Sequence, residues 1–128
     1  MAVNSIDFLN FAIDSASRGD EIGYRNAVAR SYYCAYHTVC PLMKGGPKDS
    51  HQGLINYLSG DAWRTNAEIY DKDNLKSLSF ILKFMKDQRC LSDYVLDGNV
   101  RKKDADVAIS TCNKLINKCS AMSRLAAS

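Results

Sequence analysis

An all-α fold follows from three features of this 128-residue chain. Apolar residues recur at spacings of three and four almost throughout, and the strict alternation of a half-buried strand is nearly absent. Turn residues gather at Gly19, at KGGPKDS (44–50), at Ser59-Gly60 and at DGN (97–99), and the segments between them have helical length. Only two prolines interrupt the chain. Four substantial helices joined by short links predict an antiparallel up-and-down four-helix bundle with an additional short helix. The length suits one domain spanning 1–128.

The first helix opens near Ser5, with Ile6, Leu9, Ile13 and Ala16 on one face, and stops at Gly19. The second begins around Asp20, a good N-cap, and runs through a tyrosine-rich stretch to Pro41. A short helix follows the KGGPKDS turn, with Leu54, Ile55 and Leu58 as its apolar face. Residues 61–70 show no clear period, and Trp63 is expected to anchor them to the core. A long helix from about Asp71 to Tyr94 turns Leu75, Leu78, Ile81, Leu82 and Met85 inward. The last starts near Asp104 and carries Ala105, Ile109, Cys112, Ile116 and Cys119 at core spacing.

Composition narrows the function classes. No apolar run is long enough to span a membrane. MAVNSIDFLN shows no basic segment followed by a long apolar one, so no secretory signal is expected. The net charge of +3 is compatible with an anionic partner without demanding one. A dedicated, sequence-indifferent nucleic-acid binder is usually more basic. The five cysteines are odd in number, form no CxxC pair and have only two histidines as possible co-ligands. They are expected to be reduced, core-filling thiols of a cytoplasmic protein that uses no metal or cofactor.

The chemistry concentrates in RSYYCAYH, residues 30–37. On a helical wheel Val28, Tyr32, Ala35, Val39 and Leu42 fall within about 40° of one direction, the face toward the bundle. Asn26, Arg30, Tyr33 and His37 gather about 140° to 200° away. Tyr36, Ala29 and Cys40 fill the flank. Arg30 and His37 lie about 10.5 Å apart along the axis yet within roughly 20° of one azimuth. A solvated polar stripe is one reading of this face. Tyrosines around an outward stripe favour another, a protein interface, which predicts a homodimer through the second helix. Pro41 cannot donate to the His37 carbonyl, so the helix must end or kink there. His37 then sits near the cation-favouring end of the helix dipole, placed to pass protons near neutrality.

Other segments read more plainly. Lys44-Gly45-Gly46-Pro47-Lys48 lacks the spacing of a phosphate loop and follows a helix, so it reads as a turn. Arg101-Lys102-Lys103 reads as a solvated basic end. Arg89 and Asp93 form an i,i+4 pair that would brace the end of the long helix. His51 is expected to cap or pack at a helix start.

Taken together, ARSYYCAYHTV, SHQGLINYL and QRCLSDYVLD, followed by a closing helix, resemble the HEPN family of small helical bundles. Its second helix commonly reads like SRAYYAAFHA, its third often opens with a histidine and a glycine, and its long helix often carries an arginine shortly before an Asp-Tyr pair. The resemblance runs from residue 4 to about 120, and its order and spacing are more specific than any one motif. It implies a metal-independent endoribonuclease with an arginine and a histidine four to six residues apart, the longest form matching Arg30 and His37. His37 would assist proton transfer, and Arg30 would hold the scissile phosphate. Asn26, Ser31, Tyr33 and Tyr36 would support the site or touch RNA. The position after the arginine is often Asn, Asp or His in active members; here it is Ser31. The family implies either a toxin or defence protein whose dimer brings both motifs into one cleft, or a non-catalytic partner of a small nucleotidyltransferase. An antitoxin or such a nucleotidyltransferase is therefore the expected protein partner, and RNA the substrate.

Overall fold

Side chains that take over orphaned backbone N–H groups mark where the helices of the computed structural model begin, over described residues 2–127. The Asp7 carboxylate accepts from the Asn4 N–H at the start of α1 (Ser5–Ala16). Asp20 caps α2 (Glu21–Val39) through the Gly23 N–H, and Ser50 caps α3 (His51–Leu58) through the Gly53 N–H. A single turn, α4 (Asp61–Arg64), occupies part of the segment whose sequence shows no period. Asp71 caps α5 (Lys72–Tyr94), and Asp104 accepts from the Arg101 N–H at the start of α6 (Lys102–Ala127). The last helix thus begins two residues before the expected Asp104, and Lys102 and Lys103 belong to its first turn.

The bundle is all-α and forms around α2, against which α1, α5 and α6 all pack. Eleven of the nineteen α2 residues are buried. Tyr32 and Val39 join Leu54, Leu58, Leu75, Leu78, Leu82 and Leu115 in the fully buried core. The expected inward faces of α3 and α5 are therefore correct, with Ile81 packed at the core's edge. Pro41 ends α2 as its missing N–H requires: the helix gives way to a 3-10 turn at Cys40–Leu42. All five cysteines are free, and four of them are buried. No helix among the described residues is long and apolar enough to cross a membrane.

The face of α1 departs from expectation. Leu9, Ala12 and Ser15 are buried, whereas Ile6 and Ile13 stand exposed. The cause is how closely α1 approaches α2. Ala12, Ala27 and Ala105 meet in a small cluster, and a Cβ on Gly23 would lie 2.3 Å from the Ser15 carbonyl oxygen. Only small side chains fit between backbones that near, so the larger isoleucines rotate outward.

The KGGPK segment is a turn closed from within. Backbone N–H groups of Lys44 and Gly45 donate to the Glu68 carboxylate, and Lys48 donates to the carbonyls of Cys40 and Met43. Those amides are thereby committed to the protein itself.

Arg25 is the one buried charged residue among the described residues, 6% exposed. Its guanidinium donates to the carbonyls of Ser92, Val95, Leu96 and Gly98, where α5 ends, and to Glu21 one turn back. A helix C-terminus leaves its last carbonyls unpaired; here one side chain from a neighbouring helix takes the Ser92 carbonyl of the last turn and three carbonyls of the loop that follows. Replacing Arg25 with Ala removes all of these contacts and leaves the buried Ser92 carbonyl without its Arg25 partner, and the expected loss is about 2 kcal/mol. Urea unfolding of the variant beside the native protein measures it.

Candidate functional site

Because the other faces of α2 are covered, its outward stripe is the part of this helix open to chemistry. Asn26, Arg30 and Tyr33 are partly buried, and His37 is exposed. The structure places all four along one side of α2, as the wheel predicts. Two neighbours then close in on that stripe. From α1, Phe8 stacks on the His37 ring at 5.2 Å between centroids, with its ring also 6.1 Å from Tyr33. From α5, the Arg89 guanidinium lies 5.1 Å from the centroid of the Tyr33 ring.

Arg30 is aimed by a relay. Asn26 donates to the Ser15 hydroxyl at 2.7 Å, and the Asn26 carbonyl oxygen accepts from Arg30 Nε at 3.2 Å. The Arg30 guanidinium also sits 5.0 Å from the Tyr33 centroid, a cation–π distance. Its two terminal nitrogens have no hydrogen-bond partner among the described residues. Asn26 therefore acts as the residue that orients Arg30.

Two expected site residues offer no outward surface. Ser31 is fully buried and cannot touch RNA. It follows Arg30 by one residue, and one step along a helix turns a side chain about 100° toward the core. Tyr36 is 5% exposed and stacks on His51 at 3.9 Å between centroids. It supports a neighbour from inside instead of offering an outward surface, so the tyrosines of α2 are satisfied largely within their own chain.

The stacking partner of Tyr36 is the residue that sequence reasoning placed too low. His51, at the first position of α3, packs among Tyr32, Tyr33 and Tyr36. The Tyr32 hydroxyl bonds His51 Nδ1 at 2.5 Å. Burial pushes the Tyr32 phenol up. The phenol stays protonated, and its hydrogen has no other acceptor among the described residues. It therefore donates to Nδ1, which leaves the imidazole proton on Nε2. Burial holds the His51 pKa below the usual histidine value, and the nearby Arg89, His37 and Lys86 charges lower it further. His51 is accordingly a neutral donor, beside a His37 that makes no hydrogen bond to any described residue.

Arg89 completes the group. Its Nε donates to Asp93 at 3.2 Å and one Nη reaches the Tyr94 hydroxyl at 3.5 Å, leaving the other Nη without a partner. The expected brace is thus present, but it faces Tyr33 and the stripe as well. The signal available beforehand was the position of Arg89 before an Asp-Tyr pair; Phe8 gave none, since an aromatic on a first helix reads as core. Among the described residues no three His, Cys, Asp or Glu side chains are arranged to hold a metal ion. Chemically, two guanidinium groups, one free imidazole and one fixed imidazole N–H can grip an anion and move a proton beside it.

A histidine with a lowered pKa stabilises the fold while it is neutral. That contribution is complete above the unfolded value near 6.5 and is lost as pH falls through the lower folded value. Chemical unfolding across the acid range is expected to show stability falling below about pH 6.5, with a shallower slope in His51→Gln.

Comparison with protein-family models, with curated proteins and with solved structures finds no match, so what this site does is inferred from its own geometry.

Proposed function

We propose that the protein is a metal-independent endoribonuclease of HEPN type, a cytoplasmic toxin or defence protein working as a homodimer. One observation carries the reading. Arg30 and His37 share an open stripe of α2, and neither the terminal nitrogens of the first nor the ring nitrogens of the second are spent on the protein. Buried or braced cations are common in structural roles; a cation held in place by Asn26 with its donors left free suits a phosphate.

In this reaction His37 accepts the proton of a ribose 2′-hydroxyl. The oxygen attacks the adjacent phosphorus, the bond to the 5′ oxygen breaks, and that oxygen leaves with a proton. The products are a 2′,3′-cyclic phosphate and a 5′-hydroxyl. Arg30 offsets the charge that builds on the phosphoryl oxygens. The closeness of a second arginine and a second histidine supports an anionic substrate.

The dimer draws support from a different feature than exposed tyrosines. Val3, Phe11 and Ile22 are 62%, 54% and 64% exposed, and they flank Arg30 along the α1–α2 groove. Large apolar side chains around a charged centre resemble the edge of an interface core. Two copies meeting here would put both Arg30–His37 pairs in one cleft.

A second reading, a non-catalytic partner of a nucleotidyltransferase, has one observation in its favour. Phe80, Phe84 and Leu91 form an exposed stripe on α5, continued by Val107 on α6, on the Val28 side of α2 away from His37. A different protein, an antitoxin included, would cover it.

Native protein is expected to cleave RNA in EDTA, while His37→Ala and Arg30→Ala each lose about 100-fold or more; equal cleavage by all three would remove the assignment. Light scattering is expected to report a dimer for the native chain and a monomer for Phe11→Asp combined with Ile22→Asp.

A further inference from the structure

Arg30 and Arg89 come from different helices, yet their guanidinium carbons lie 5.0 Å and 5.1 Å from the centroid of one ring, that of Tyr33. They can be no further apart than those two distances together. Neighbouring phosphates of one nucleic-acid strand fall within that limit. A helix brace alone gives no reason for Arg89 to extend over α2, since its brace partners Asp93 and Tyr94 are on α5 itself.

Resting on the ribonuclease reading, we infer that Arg89 binds the phosphate next to the scissile one, so that the site takes two consecutive phosphodiesters of an unpaired strand across Tyr33. Arg89 keeps one Nη free for this contact, and its side chain is 17% exposed. The Tyr33 ring holds both cations beside it, since guanidinium groups stack on aromatic faces. Lys86 lies one turn back on α5, its Nζ at 3.4 Å from Gln52 of α3, and adds a positive charge on the same helix. Asp93 opposes the contact: its carboxylate competes for the same guanidinium. Arg89 is thus a binding residue that sets the minimum substrate, while proton transfer and the scissile phosphate stay with His37 and Arg30.

The test compares cleavage of a dinucleoside monophosphate with that of a trinucleoside diphosphate, and runs fluorescence anisotropy on fully 2′-deoxy versions of both. Native protein is expected to favour the two-phosphate substrate by about tenfold in KM, one charge-assisted phosphate contact. Arg89→Gln is expected to lose that preference, Arg89→Lys to keep part of it, and Asp93→Asn to enlarge it. A purely structural Arg89 would weaken both substrates alike and leave their ratio untouched; that result in a folded Arg89→Lys or Asp93→Asn protein overturns the inference while cleavage stands. If the native protein cleaves neither substrate but binds the two-phosphate deoxy strand about tenfold better through Arg89, the ribonuclease reading fails and the phosphate contact remains. Binding of neither strand overturns both.

Discussion

The buried guanidinium of Arg25 is the contact on which the arrangement depends. It sits on α2 and gathers four carbonyls from residues 92–98 at the end of α5. A planar fork of fixed geometry accepts little sliding, so it locks the register between the two helices. Arg89 lies one turn before Ser92 on the same helix. Its place over Tyr33 therefore follows from a charge that has no part in the chemistry. Burying an arginine is costly unless its donors are used, and here they are used on Glu21 and on carbonyls at and just past the end of α5.

Crowding around α2 explains what the rest of the chain offers to solvent. With α1, α5 and α6 all leaning on it, the central helix has little surface left, and its polar residues share a narrow band. The aromatic side chains on that band's flank then do two jobs. Tyr32 fills the core with its ring and fixes the His51 proton with its hydroxyl; Tyr36 is buried and supports the His51 ring. Tyr33 alone faces outward, between two cations.

Periodicity reached most of this. The four long helices and the short α3, the inward faces of α3 and α5, the end of α2 at Pro41 and the common side shared by Asn26, Arg30, Tyr33 and His37 all follow from local spacing, which depends only on helix geometry; the single turn α4 does not. What spacing could not reach needs knowledge of a neighbour. The outward turn of Ile6 and Ile13 is decided by the Ser15–Gly23 contact, and the burial of Tyr36 by α3 folding across it. Nothing in local spacing sets Arg25 apart, since its carbonyl partners lie some 70 positions along the chain. His51 and Arg89 were visible as residues but not as members of the Arg30 group, since three separate helices bring them together.

The Ser15–Gly23 contact has a reach beyond its own size. It acts as the pivot of α1, because there the two backbones touch with nothing between them. Phe8 stands seven residues away, about 10 Å along the rod, and its ring lies on His37. A wedge at the pivot, even a single methyl group, would swing the far end by more than it moves the near one, and lift that ring from the imidazole. The state of the histidine is thus geared to a glycine that never comes near it.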